Sequence, residues 1–235
     1  MHTKIDVVIM AGGKGSRLMP LTEHIPKPLL KIGNKPIIEY NIDLLKSYGI
    51  PSINVSVHHF SEQIISYLKA SDKIKINFIT EDKPLGTIGA LKIKDTYKTD
   101  NILVLNADVL TNIDLKQFVD EFLANKVEAL VATAPYVIAL PHDIIETKNG
   151  QITTLKPKHQ VTYNLNAGIY LFKKSCLEYI PENTFFNATD LINTLLSYGK
   201  TIKTFPITQY WIDIGQHHDF KKANEDINDL KFPSQ

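Results

Sequence analysis

A chain of 235 residues with a formal net charge of +1 and 43% hydrophobic residues is long enough to bury a sizeable core as one α/β domain, or as a domain with a small appendage. The near balance of charge argues against a nucleic-acid partner, which announces itself with a basic patch, and no apolar run approaches a membrane span. The first apolar stretch, 5–10, is too short for a signal peptide, and the single cysteine, Cys176, excludes an internal disulfide and fits a reducing, cytoplasmic location.

Residues 5–10 form a short β-branched run that reads as a buried parallel strand, followed by a glycine-rich loop from Ala11 to Arg17. Helical spacing over 36–48 starts at a proline and stops at Gly49. A strand at 53–57, a helix at 61–68, a strand at 74–79 and a short helix at 87–93 follow. Residues 102–105 read as a central buried strand ending in Asn106-Ala107-Asp108, then come a helix at 115–123 and a strand at 129–132. This alternation predicts a Rossmann-like, mostly parallel, doubly wound sheet, with ligands beyond the carboxyl ends of its strands. After 134 the rhythm changes. Strands at 143–147, 151–155 and 166–172, the first two joined through Asn149-Gly150, predict an antiparallel hairpin and lid region. Helices return at 188–198 and 217–228. The expected organisation is one domain over 1–230, with a nucleotide-binding half at 1–134, an acceptor half at 135–230 and a disordered tail from Lys231.

The loop Ala11-Gly-Gly-Lys-Gly-Ser-Arg-Leu18 comes straight after the first strand. Its glycines let backbone N–H groups turn toward an anion, and Lys14 and Arg17 add charge. It lacks the Gly-Lys-Ser/Thr ending of a Walker loop, and Leu18 stands where a dinucleotide fingerprint needs its third glycine. A plain glycine turn is the alternative. Arg17 is the only arginine of the chain, and at a bidentate phosphate site only a guanidinium offers a planar fork of donors. Lys27 lies between Pro26 and Pro28, which are expected to hold it extended and presented to a triphosphate. Asp108, which follows a buried strand, and Asp213, which sits in an apolar strand-like stretch, suit Mg²⁺ as a pair; taken singly, Asp108 is nearly as well a turn cap and Asp213 the partner of a lysine. Adjacent histidines at 58–59 and 217–218 are not expected to form a metal site, because neighbours on an extended chain point to opposite faces.

Gly-Gly-x-Gly-x-Arg-Leu, Pro20-Leu-Thr22 and Pro26-Lys-Pro-Leu29 together resemble the signature of the sugar-1-phosphate nucleotidylyltransferases. The strings Glu81-Asp-Lys-Pro-Leu-Gly-Thr-Ile-Gly-Ala90, Asn106-Ala-Asp108, Lys156-Pro157, Asn166-Ala-Gly168 and Trp211-Ile-Asp-Ile-Gly215 resemble the same family in the same order, over roughly 4–228. The short guanylyltransferase-like members of bacterial surface-sugar pathways look closest. The resemblance implies an enzyme that joins an NTP, GTP favoured, to a sugar 1-phosphate with Mg²⁺ and releases pyrophosphate. It implies that Ala11, Gly12, Gly13, Gly15, Glu81, Gly86 and Thr87 bind the nucleotide and that Arg17 and Lys27 act on its phosphates. It further implies that Lys156 holds the acceptor's phosphate, that Asn166 and Gly168 line the sugar pocket, and that Asp108 and Asp213 hold the metal. A homodimer and a regulatory domain, fused or separate, are open under the same resemblance. Two departures stand out: Ala107 replaces a usual glycine and is strained if the backbone there needs positive φ, and Leu155 replaces a usual glutamate that would accept from sugar hydroxyls. They motivate one rival, a catalytically weak nucleotide-sugar-binding regulatory subunit; a second is a transferase for a non-sugar phosphate, which a pocket of aromatic cation-binding residues would support.

Overall fold

A computed structural model of the chain describes residues 5–71, 74–93, 97–157 and 160–230. The tail expected to be disordered lies outside these residues. Strand β1 (Asp6–Met10) leads through the glycine loop to a small antiparallel pair, β2 (Lys31–Ile32) and β3 (Lys35–Pro36). Then come α1 (Ile37–Ser47), β4 (Ser52–Val57), α2 (Ser61–Lys69), β5 (Lys75–Thr80), β6 (Asn101–Asn106), β7 (Val109–Thr111), α3 (Leu115–Ala124) and β8 (Ala129–Ala139). The second half runs through β9 (Ile144–Lys148), β10 (Gln151–Lys156), β11 (Gln160–Lys173), α4 (Ala188–Ser197), β12 (Ile202–Pro206), β13 (Trp211–Asp213) and α5 (His217–Asp226).

Seven strands form one sheet in the order β12-β8-β11-β6-β1-β4-β5. The pairs β6-β1, β1-β4, β4-β5 and β12-β8 are parallel, while β11 runs antiparallel to both of its neighbours. Residues 7–10 of β1 and 102–105 of β6 are apolar because each face of the sheet is covered. Val7, Ile9, Leu103 and Leu105 join the core under α1, α2 and α3, whereas Val8, Ile102 and Val104 join the core under α4. This is the doubly wound arrangement, in which side chains alternate between two buried faces.

The hairpin β9–β10 forms its own two-stranded sheet. Asn149 and Gly150 have φ of 51° and 78°, the left-handed pair that a tight two-residue hairpin turn requires. The expected helix at 87–93 is only a 3₁₀ turn, Gly89–Lys92, because Gly86 is left-handed and Thr87 is bonded to Asn187. Strands β7 and β12 were not anticipated. β7 has three residues, and β12 is an edge strand that ends at Pro206, where the missing N–H costs no ladder bond. The boundary expected after 134 falls inside β8, and β11 enters the middle of the sheet. No helix among the described residues is long and apolar enough to cross a membrane.

Candidate functional site

The parallel strands β1, β4 and β6 deliver their carboxyl ends to one edge, and two adjoining cavities open there. The first, of about 380 Å³, is lined by the glycine loop (Ala11 to Lys14), Lys27, Glu81, Leu85, Gly86, Thr87, Asn106 and Asp108. The second, of about 260 Å³, is lined by Asn166, Gly168, Asp213 and Thr189. Thr87, Asn106 and Asn187 line both.

The loop's glycines serve different ends. A Cβ on Gly12 would lie 2.9 Å from Glu81 Oε1, so the backbone can run there only without one. Gly15 has φ of 64° and turns the chain into the 3₁₀ turn Ser16–Leu18, which is anchored by fully buried Leu18. Thr22 Oγ1 donates to Gly15 O at 2.9 Å, and His217 Nε2 lies 2.7 Å from Met19 O, so α5 braces the same turn. A Cβ on Gly13 would meet nothing within 4 Å, leaving its backbone open to a ligand.

Lys27 departs from the expected extended presentation. Pro26 is extended, but Lys27 opens a 3₁₀ turn, Lys27–Leu29, and is buried at 7% exposure. Its ammonium is paired with Asp108 Oδ2 at 2.5 Å. Proline on both sides fixes the turn that carries the lysine inward, rather than a free extended arm.

Asp108 lies between β6 and β7, and β13 brings Asp213 beside it by pairing with β7, Asp213 opposite Val109. Ile214 N donates to Asp108 O at 3.0 Å, closing the junction. Burial and then the Asp108 charge push the Asp213 carboxyl up to about 6, while Lys27 and Arg17 pull it down. Asp213 Oδ1 is buried without a hydrogen-bond partner. Among the described residues no cluster of three or more His, Cys, Asp or Glu could hold a metal ion. Two carboxylates with one orphaned oxygen fit a hard cation that completes its shell with phosphate oxygens and water, as Mg²⁺ does.

Ala107 is not strained. The non-glycine residues with positive φ among those described are Phe60, Asn149 and Asn183, and the Ala107 methyl is buried at 2% exposure. Its N–H donates to Met10 O at 3.0 Å, stitching β6 to β1. One motive for a weakened site is thereby removed.

Glu81 is buried at 5% exposure at the wall of the first cavity. Ser56 Oγ donates to its Oε1 at 2.6 Å and Leu85 N to its Oε2 at 3.0 Å, so its plane is fixed. Gly86 has φ of 77°, and a Cβ there would lie 2.6 Å from Phe186 O. Thr87 N donates to Asn187 Oδ1 at 3.2 Å, and Thr87 Oγ1 accepts from Ala188 N at 2.9 Å. The glycine and threonine singled out for the nucleotide thus also clip two chain segments together.

On β11, Asn166 Oδ1 accepts from Gly168 N at 3.1 Å, and Gly168 has φ of 71° where the strand bulges toward Asn106. Three expected residues line neither cavity: Gly15, which only turns the chain into the 3₁₀ turn, Arg17 and Lys156. Arg17 is exposed, with its guanidinium against the Gly215 backbone at the Asp213 end. Lys156 sits at the end of β10 in an exposed ion pair with Glu146, whose carboxyl it holds below the usual range. Leu155 is 64% exposed and likewise lines neither cavity.

Sequence reading missed Asn106, Asn187 and Phe185 as site residues. Asn106 Oδ1 is buried without a partner between the two cavities, a polar atom positioned for a ligand donor. The signal was present for Asn187, because Asn-x-x-Asp before an apolar run is a helix-capping pattern, and the box is formed. Nothing local marks Phe185.

The sequence model of the family described as "Nucleotidyl transferase" matches residues 6–229. The chain is 32% identical to the mannose-1-phosphate guanyltransferase of Saccharomyces cerevisiae over 91% of its own length and 62% of that enzyme's. It is 29% identical to the UTP–glucose-1-phosphate uridylyltransferase of Synechocystis sp., covering 97% of this chain and 66% of that one. The chain thus spans less than two thirds of either relative. Among solved structures, HddC from Yersinia pseudotuberculosis complexed with GMP-PN superposes with a TM-score of 0.75 at 27% identity, over 94% of this chain and 99% of that one. Guanylyl and uridylyl transferases stand side by side among these relatives, so likeness to guanylyl members alone is too narrow.

Proposed function

We propose that this chain, which belongs to the nucleotidyl transferase family, moves a guanylyl group from GTP to the phosphate of a sugar 1-phosphate and releases pyrophosphate. The observation that carries the reading is that two adjoining cavities share Thr87, Asn106 and Asn187, with Asp108 and its buried partner Lys27 in the first and Asp213 in the second. A donor lies in the first cavity with its phosphates on the glycine loop, and an acceptor lies in the second with its phosphate toward the junction.

An acceptor phosphate oxygen attacks the α-phosphorus in line. The bond to the β-phosphate oxygen breaks, and pyrophosphate carries away that electron pair. The nucleophile is already anionic near neutral pH because the second pKa of a phosphate monoester is about 6, so no general base is required. The protein contributes position and charge. Asp108 and Asp213 are the residues that would hold Mg²⁺, which when bound neutralises charge at the reacting phosphates. Lys27 is released from Asp108 toward the α-phosphate as the charge there grows. Arg17, poised against Gly215, swings to the triphosphate, and Lys156 exchanges Glu146 for the acceptor's phosphate. Asn166 and the unpartnered Asn106 Oδ1 accept from sugar hydroxyls.

Glu81 supports guanine. A carboxylate only accepts, and guanine offers two adjacent donors, N1–H and the N2 amino group. Uracil and thymine flank their one N–H with two carbonyls, which a carboxylate repels. The two bonds that fix Glu81 leave each oxygen a second lone pair for the base.

The test is pyrophosphate release from GTP, UTP, dTTP, CTP and ATP with Mg²⁺ and a panel of sugar 1-phosphates. GTP should give the highest kcat/KM by at least tenfold. A higher value with UTP or dTTP overturns the guanylyl reading and keeps the transferase. No release with any pair, alongside binding of nucleotide, moves the regulatory rival ahead.

A further inference from the structure

We propose that Phe185 is the platform on which the donor's nucleobase stacks, and that its ring and the Glu81 carboxylate grip the base together, one on its face and the other on its edge. The proposal rests on the first cavity being the nucleotide site.

That cavity has two chemically different ends. The glycine loop, Lys14 and Lys27 provide backbone donors and positive charge. Pro84, Leu85, Gly86 and Phe185 provide uncharged surface beside the Glu81 carboxylate, and His58, Thr87, Asn106 and Asn187 line the same cavity. A triphosphate has nothing to bind at the second end, where a carboxylate repels it. A flat heterocycle with edge donors suits that end.

Phe185 is 59% exposed, whereas its neighbour Phe186 packs against the core under α4. An isolated exposed phenylalanine needs no explanation, but this one lines the wall of a ligand cavity on a rigid mount. Phe186 N donates to Leu85 O at 3.0 Å, and Ile88 N and Gly89 N both donate to Phe186 O at 3.1 Å. Thr87 and Asn187 bond across the same seam. A Cβ on Gly89 would lie 2.7 Å from Thr184 O, and one on Gly86 2.6 Å from Phe186 O, so both glycines are needed for this backbone approach. The segment that carries Phe185 is therefore clamped to the segment that carries Leu85 and Gly86. An exposed ring held this way is pre-organised to stack, and every base has a π-face to meet it.

The ring and the carboxylate have separable effects. Removing the ring weakens every base, purines most because they overlap it most. It leaves the ranking by edge to Glu81. Stacking losses on alanine substitution correspond to roughly 5- to 150-fold weaker binding.

The experiment compares wild type with Phe185→Ala, Phe185→Leu, Phe185→Tyr and Phe185→Trp. Binding of GMP and of inorganic tripolyphosphate is measured by calorimetry, together with KM and kcat for GTP. The expected result is GMP affinity and GTP KM worsened at least fivefold in the Ala and Leu variants, with kcat within twofold. Tripolyphosphate affinity should be unchanged, and the Tyr and Trp variants should recover affinity. In Phe185→Trp, GMP should quench fluorescence beyond the wild-type Trp211 signal, and tripolyphosphate should not. Unchanged GMP affinity in the Ala and Leu variants overturns the proposal. So does an equal loss for tripolyphosphate, which would mean that the seam, not the ring, is what matters. Either result, with wild-type pyrophosphate release intact, leaves the transferase reading standing. Conversely, quenching by GMP without pyrophosphate release sinks the transferase reading and keeps the stacking platform.

Discussion

Asp213 combines burial, a like-charged neighbour and an orphaned oxygen, a costly arrangement in the absence of a cation. A carboxyl whose pKa rises on folding binds more protons folded than unfolded. Its contribution to stability is therefore lost as pH rises from the ordinary aspartate range through about 6. Asp213→Asn should accordingly melt higher than wild type at pH 7.5 without metal, by about 2 to 4 °C for each kcal/mol relieved. The gap should close at pH 4, where both side chains are neutral, and thermal scans at the two pH values check it. The same variant should lose transfer by roughly 100-fold or more, the usual scale for removing one preorganised charge contact. Glu81→Gln tests the base edge: an amide can both donate and accept, so the GTP-to-UTP ratio of kcat/KM should fall at least tenfold. Cys176 is an independent check on the core. It is 1% exposed, its Sγ donates to Glu128 O at 3.3 Å, and burial pushes the thiol up to about 11. A thiol reagent at pH 8 should label it only when the protein unfolds.

At the scale of elements, the seam between 85–89 and the start of α4 holds both cavities in shape. Gly86→Ala must place a side chain at positive φ and against Phe186 O, and the backbone alone costs about 1 to 3 kcal/mol. Gly13→Ala, whose Cβ meets nothing, should leave the melting temperature unchanged while weakening nucleotide binding. The contrast between the two glycines separates fold from ligand contact, and neither role could be told from the other by spacing. Asn187→Ala should cost about 1 kcal/mol for the lost cap. It should also raise KM for both substrates, because Asn187 lines both cavities and holds Thr87. Denaturant titrations and initial rates check both parts.

Across the whole molecule, the last strand and helix return to the first loop. Ile212, Ile214 and Ala223 pack in one cluster with Leu18, Leu30 and Leu110, so the end of the glycine-rich loop and the Asp213 strand share a small core. Tyr210 donates to Asp226 Oδ2, and Gly33 N donates to Asn224 Oδ1 at 2.9 Å, tying α5 to the approach to β13 and to the β2–β3 turn. Deleting 216–235 should leave the main sheet folded by circular dichroism but abolish the thermal shift with GTP. Retention of that shift would mean that the loop holds its shape unaided.

The local strings were sufficient to read the glycine-rich loop after a buried strand and the parallel first half, because each depends on neighbours in the chain: glycine for backbone freedom, β-branched runs for buried strands. The Asn-Gly turn was legible for the same reason. Only the tertiary structure decided what those residues face. The Lys27–Asp108 pair spans 81 positions and the seam at Thr87 spans 100, and no periodicity encodes such partners. The burial of Lys27, the relaxed Ala107, the entry of β11 into the sheet and the place of Phe185 on the cavity wall all depend on chain segments brought together by packing. Their energetics come from burial and like charge at the junction of the two halves, which exists only once the sheet has closed.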